Sequence, residues 1–270
     1  MSSQFDEIVD DLADEQRALL KVLENMTPEQ WDTPSHAPGW AARDQVAHLA
    51  FFDEAATRAI QDPAGFAEEV RQVAASGSEQ EERYLARGRA MSSRQLLDWW
   101  RAASSSLISA ARTVDPKARL PWYGPPMSGV SFITARLMET WSHGLDVVDA
   151  VHGERPDTDR LRHVAFLGVR TRPFSYANRG LEPNQAPIRV LLTSPSGATW
   201  ELGEPSDTDV ITGSATDFCR VVTQRRHLAD TRLVVKGPAA AEWMAIAQAF
   251  AGPPGPGRQP GEFASEGPQA

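Results

Sequence analysis

Residues 132–152 read FITARLMETWSHGLDVVDAVH, and this stretch decides what the chain is built from. Ile133, Leu137, Trp141, Leu145 and Val148 recur on one side of a helix, while Phe132, Ala135, Val147 and Ala150 lie on the other. A helix that is apolar on both sides is a buried one. Three polar residues nonetheless share a narrow strip of it. Glu139 and His143 are four residues apart and Asp146 is three further on, an arc of about 60° at 3.6 residues per turn. Burying a carboxylate beside an imidazole is costly unless they pair with each other or hold a cation. Taken alone, Glu139 and His143 are better explained by a hydrogen bond within the helix than by a ligand site.

Working outward, three more long helices are legible. Phe5, Ile8, Leu12, Leu19 and Leu23 form one apolar stripe over residues 4–26. Thr27-Pro28-Glu29-Gln30 then opens a short new turn ending near Trp31, and Pro34 to Gly39 is turn chemistry. A second helix runs from Trp40 to about Gln61, and Ser92 with Gln95 caps a third reaching about Val114. Residues 64–90 between them are helical in propensity but polar, as in an exposed segment. A Pro/Gly-rich loop, Pro116 to Gly129, leads into the helix quoted above. Four long helices on these connections imply a helix bundle over residues 1–155.

The second half changes character. Helix is expected around Arg160 to Tyr176, a β-hairpin from Ile188–Thr193 and Ala198–Leu202, a helix from Ser214 to about Arg226, a strand at Thr231–Lys236 and a closing helix at Ala239–Phe250. Residues 156–251 therefore form a small α+β domain. The last nineteen residues, Gly252 to Ala270, hold five Gly and five Pro with few apolar side chains, and are expected to be a disordered tail.

Composition bounds the function. Of 270 residues, 41% are hydrophobic and 23% charged, as in a folded protein. The formal charge of −9 falls entirely within residues 1–150, which hold 14 Lys and Arg against 23 Asp and Glu. No basic cluster offers itself to nucleic acid or an anionic membrane. No apolar run is long enough to span a bilayer and no signal core opens the chain, so a cytoplasmic location is expected. The single cysteine, Cys219, rules out a disulfide framework and reads as an inert packed thiol. Low lysine with abundant Ala, Arg, Gly and Pro suits a GC-rich bacterial source.

On the second helix, His48 sits among apolar neighbours in Val46-Ala47-His48-Leu49-Ala50-Phe51-Phe52. Side chains from facing helices converge in a bundle core, and two His with one Glu plus an open position form a catalytic zinc set. At this point the sequence resembles a known family. Trp31, Pro38-Gly39-Trp40, Arg43-Asp44, Ala47-His48-Leu49 and, some ninety residues later, Glu139 with His143-Gly144 and Asp146 are similar to the DinB superfamily, in its mycothiol-dependent maleylpyruvate isomerase branch. Ile211 to Asp217 and Gly237 before a helix with Trp243 resemble the sterol-carrier-like domain that often follows. The resemblance implies a four-helix bundle holding one divalent metal, usually zinc, through His48, Glu139 and His143. It implies a small-molecule thiol, mycothiol, that transfers to or isomerises a small electrophile.

Asp146 is the candidate catalytic acid or base, and Asp44 or Asp146 a candidate to orient an imidazole. Arg43 and Arg136 are weaker candidates to hold a carboxylate, and Trp40, Trp122 and Trp141 to wall a pocket. His36, His152, His163 and His227 show no ligand spacing. Partners are expected to be a small substrate and the thiol, and a homodimer is the assembly to test for. The ligand set leaves open a hydrolase or lyase using metal-bound water, or a binding module whose second half carries an apolar ligand.

Overall fold

In the computed structural model, residues 4–76 and 80–263 are described. The chain divides into two compact units, Met1–Arg155 and Pro156–Ala270. In the first unit α1 spans Gln4–Glu24, α2 Ala42–Gln61, α3 Pro63–Ser76, α4 Gln80–Arg89, α5 Ser93–Ala111 and α6 Gly129–Ala150. A two-stranded ribbon, β1 (Arg119–Leu120) with β2 (Met127–Ser128), precedes α6. Helix α2 packs on α5, α6 and α4, and α1 packs on α6 and α5. Their shared core is Leu19, Leu23, Trp31, Val46, Leu49, Leu96, Trp100 and Val147.

The helix boundaries follow from capping chemistry. Ser92 Oγ accepts from the backbone N–H of Gln95, whose side chain reaches back to the Ser92 N–H at 2.9 Å, a reciprocal cap that starts α5. Ser128 Oγ does the same for the N–H of Ser131 at the head of α6. The polar segment expected to be exposed is only partly so, because α3 buries Phe66 and α4 buries Tyr84 and Leu85. Their apolar positions are too sparse to stand out in sequence.

Two buried ion pairs cross the first unit. Arg136 on α6 reaches Asp53 on α2 at 2.8 Å, and Arg155 reaches Glu15 on α1 at 3.1 Å. Arg155 also donates to the carbonyl of Trp141 at 2.7 Å, crossing α6 where Gly144 leaves room. A Cβ there would lie 2.2 Å from Arg155 Nη1.

The second unit is helix and mixed sheet. Helices α7 (Leu161–Arg170) and α8 (Arg172–Ala177) precede strands β3 (Arg189–Thr193), β4 (Thr199–Gly203) and β5 (Val210–Ser214). Helix α9 (Ala215–Val222), β6 (Val234–Lys236) and α10 (Pro238–Ile246) complete it. The sheet order is β4-β3-β5-β6, with β3 antiparallel to β4, parallel to β5, and β5 antiparallel to β6. The hairpin has Leu191 opposite Glu201. Strand β5 had no separate signal, since its five residues include Gly213 and the last of them, Ser214, is already the cap of α9. The end of the chain departs from a loose tail as far as residue 263. The N–H groups of Gly261 and Phe263 donate to Asp230, and Arg226 lies 3.7 Å over the Phe263 ring. Residues 264–270 lie outside the described residues. No described helix is long and apolar enough to cross a membrane.

Candidate metal centre

Helix α2 presents His48 and α6 presents Glu139 and His143 to one point. One donor atom from each lies within 4.8 Å of the other two. Glu139 Oε2 is 3.3 Å from His48 Nε2 and 3.1 Å from His143 Nε2, and the two imidazole centroids are 4.0 Å apart. All three side chains keep some exposure, between 13% and 19%, so the centre opens toward solvent.

The outer nitrogens of both rings are taken. His143 Nδ1 is 2.6 Å from Gln45 Oε1, while Gln45 Nε2 donates to Ser35 Oγ at 2.9 Å. That second bond fixes the amide so that its oxygen faces the ring, and Nδ1 carries the proton. His48 Nδ1 is 3.2 Å from Tyr84 Oη. Burial, with the charges of Glu81, Glu139 and Asp44, pushes the Tyr84 hydroxyl up from its usual value, so it stays a hydroxyl in hydrogen-bond contact with the His48 ring. Burial, then the neighbouring His143, lowers His48 to about 3, which leaves it neutral near pH 7. Burial pushes Glu139 up, but the hydrogen bonds and charges of His143 and His48 outweigh it and hold it well below the usual carboxylate range. Nδ1 of each ring is thus bonded away from the centre, and the two Nε2 atoms face the Glu139 carboxylate. Two imidazole nitrogens and one carboxylate converging from two helices are a donor set that fits a divalent metal.

The Pro38-Gly39-Trp40 motif has a physical reason. The N–H of Trp40 donates to the carbonyl of Ala37 at 3.0 Å, and Gly39 sits at φ +79°, the third position of a turn that needs a left-handed residue after proline. The turn lays Trp40 over His143, with centroids 6.2 Å apart and planes 24° apart. It also returns Ser35 to the carbonyl of Trp40 and to Gln45.

With this geometry established, comparison with known proteins is informative. The sequence profile of the mycothiol maleylpyruvate isomerase N-terminal domain matches residues 12–148. The chain belongs to that family. Over 250 residues it is 43% identical to the uncharacterized protein Rv0036c of Mycobacterium tuberculosis, covering 93% of this chain and 97% of the relative. The uncharacterized protein MT0041 of another strain matches equally. The crystal structure of the mycothiol-dependent maleylpyruvate isomerase superposes with a TM-score of 0.57 at 16% identity, over 83% of this chain and 90% of that one. A histidine-to-alanine mutant of that isomerase gives the same figures. At such identity the likeness concerns the fold, helix-rich with a small mixed sheet.

Within this family member, the remaining candidates separate. Asp146 is buried, and its Oδ2 lies 3.9 Å from His143 Nδ1, behind the imidazole relative to Glu139 and beyond hydrogen-bond reach. Asp44 does not orient an imidazole. Its carboxylate accepts from the Ala41 N–H at 2.9 Å and from Arg89 at 2.9 and 3.0 Å, closing the start of α2. Arg43 is held by Asp32 at 2.7 Å and Arg136 by Asp53, so neither awaits a substrate. Trp40 and Trp122 are half-buried near the centre or its aromatic neighbours, whereas Trp141 is core. Cys219 is fully buried in the second unit, where burial and the charge of Asp157 raise its thiol well above the usual value. Gln45 and Tyr84 were not anticipated. Gln45 stands one turn before His48 on α2 and was the detectable one.

Proposed function

We propose that this protein is a metal-dependent enzyme that uses a small-molecule thiol, mycothiol, for sulfur transfer to a small electrophile or for its cis-trans isomerisation. The observation that carries the reading is the trio His48, Glu139 and His143 with donor atoms within 4.8 Å, in a chain whose family is named for that thiol chemistry. In this reading residues 1–155 are a DinB-type four-helix bundle and residues 156–251 a sterol-carrier-like domain. A divalent ion, zinc by preference for two imidazoles and a carboxylate, would supply the positive charge that ionises a thiol at neutral pH.

The chain's residues do the rest. His48 and His143 offer Nε2, each ring fixed by its Nδ1 bond to Tyr84 or Gln45. Glu139 contributes one negative charge, so three protein ligands leave a position open. Asp146, the candidate catalytic acid or base of the sequence, is in this reading a positioning residue behind His143. Trp40 closes one side and limits water there.

Metal content measured by mass spectrometry on untagged protein tests the reading, with His48→Ala alongside. One ion per chain, lost in the variant, together with turnover that requires added thiol, is the expected result. Absence of stoichiometric metal after reconstitution overturns it.

A further inference from the structure

The rim of the centre is aromatic on every element that builds it. The Phe52 ring lies 4.5 Å from His48, 5.9 Å from Trp122 and 5.7 Å from Tyr123. Trp122 continues the wall to Phe66 at 5.8 Å and Phe132 at 5.1 Å. Trp40, 5.5 Å from His48, faces the centre from the turn. Trp40, Phe52, Trp122 and Tyr123 are each only partly buried, so this wall is not sealed core.

On α2, α4 and α6 the arginines are engaged, and on the loop that carries Trp122 and Tyr123 Arg119 donates to the carbonyl of Pro126. No lysine occurs on α2, α4 or α6. Arg43 is paired with Asp32, Arg58 with Glu69, Arg87 with Glu54, Arg89 with Asp44 and Arg136 with Asp53, and Arg83 is engaged as well. Recognition of a carboxylate calls for a free guanidinium or ammonium, best a bidentate arginine. What remains near the centre is negative: Glu139 itself, Asp146 behind His143, and Glu81, which accepts from Trp40 Nε1 at 3.3 Å. Residues 1–150 as a whole carry the full −9 of the chain. Apart from the charge a bound divalent ion would bring, these helices offer an anion no free cation, whereas the rim offers a planar ring a stacking surface.

We infer that the centre serves an uncharged electrophile carrying a planar aromatic group, held against Phe52 and Trp122, and does not take a carboxylate substrate of the maleylpyruvate kind. This deepens the proposed function and rests on its metal assignment.

The test uses the full chain reconstituted with cobalt(II), whose visible bands report ligand geometry. Three thiol probes of similar reach are titrated: benzyl mercaptan, 1-butanethiol and 3-mercaptopropionate. Each is followed by its sulfur-to-cobalt absorption. The expected order is benzyl mercaptan tightest, about two- to tenfold ahead of 1-butanethiol, as one added ring contact predicts, with 3-mercaptopropionate weakest. Phe52→Ala should erase most of the aromatic advantage while leaving the cobalt bands in place. A carboxylate probe binding as tightly as the aromatic one, with cobalt bound normally, overturns the inference but not the metal reading. Failure of cobalt to bind at all removes both. If Phe52→Ala does not fold, the ranking of the three probes on the native chain decides alone.

Discussion

Replacing Gln45 by Leu removes the acceptor 2.6 Å from His143 Nδ1 while keeping the volume of a side chain that is fully buried. No water stands ready at a fully buried position, so the Nδ1–H loses its partner or the ring changes tautomer and turns its proton toward the metal position. Leaving one buried donor unsatisfied costs about 1–3 kcal/mol. If that cost falls on the metal-bound state it weakens binding roughly 5- to 150-fold, which brackets the ~10–100-fold typical of partners behind a ligand. Asp146, 3.9 Å from the same nitrogen, is placed to take over part of the bond, so the single variant should fall near tenfold. Gln45→Leu combined with Asp146→Asn should fall toward the upper end. Gln45→Glu, which keeps an acceptor, should retain most of the affinity. Competition for zinc against a chromophoric chelator at pH 7 measures all three. Affinity of Gln45→Leu within twofold of the native protein, with folding unchanged by circular dichroism, would refute the argument that Gln45 orients His143.

Other outcomes follow from the same structure. Arg136→Met strands the buried Asp53 carboxylate, which burial already pushes above its usual pKa even against the Arg136 charge; chemical denaturation should show a loss of about 3–5 kcal/mol, largely recovered in Arg136→Met with Asp53→Leu. Gly144→Ala drives a methyl into Arg155 and should disturb its pair with Glu15, lowering the thermal midpoint by several degrees, whereas Gly124→Ala, with nothing within 4 Å of its Cβ position, should leave it unchanged. In the second unit, burial raises Asp209, but the N–H groups of Ala240 and Ala239 and the Thr208 hydroxyl outweigh it and leave its carboxyl below the usual value. A depressed folded pKa contributes stability above the unfolded value of ~3.9 and loses it as pH falls through the folded one. Asp209→Asn should therefore destabilise at pH 7, and the gap to the native protein should narrow in denaturant titrations carried below that pH.

The sequence was most readable where structure is local. Ser92 and Gln95, three residues apart in one cap, announce α5 without reference to anything else, and the alternating run from Ile188 with its Ser196-Gly197 turn announces a hairpin. That His48, Glu139 and His143 come together was readable because an imidazole and a carboxylate on an apolar helix need a reason to be there. What failed depended on partners distant in the chain. Asp44 looked free to orient His48 because Arg89, which holds it, is 45 positions away. Tyr84 lies in a glutamate- and arginine-rich helix whose polarity hides its one inward ring. Arg136 reads as an available cation until Asp53, 83 positions earlier, is placed beside it.

The distance in sequence between His48 and Glu139 also sets an order of events. Helix α2 is synthesised long before α6, so the nascent chain displays one imidazole and no site until residue 143 has been made and the two helices have docked. Under the proposed function, metallation would follow folding, and a seated ion would staple a loop of about ninety residues. Occupancy and thermal resistance become two readings of one equilibrium, with a chelator expected to act as a denaturant.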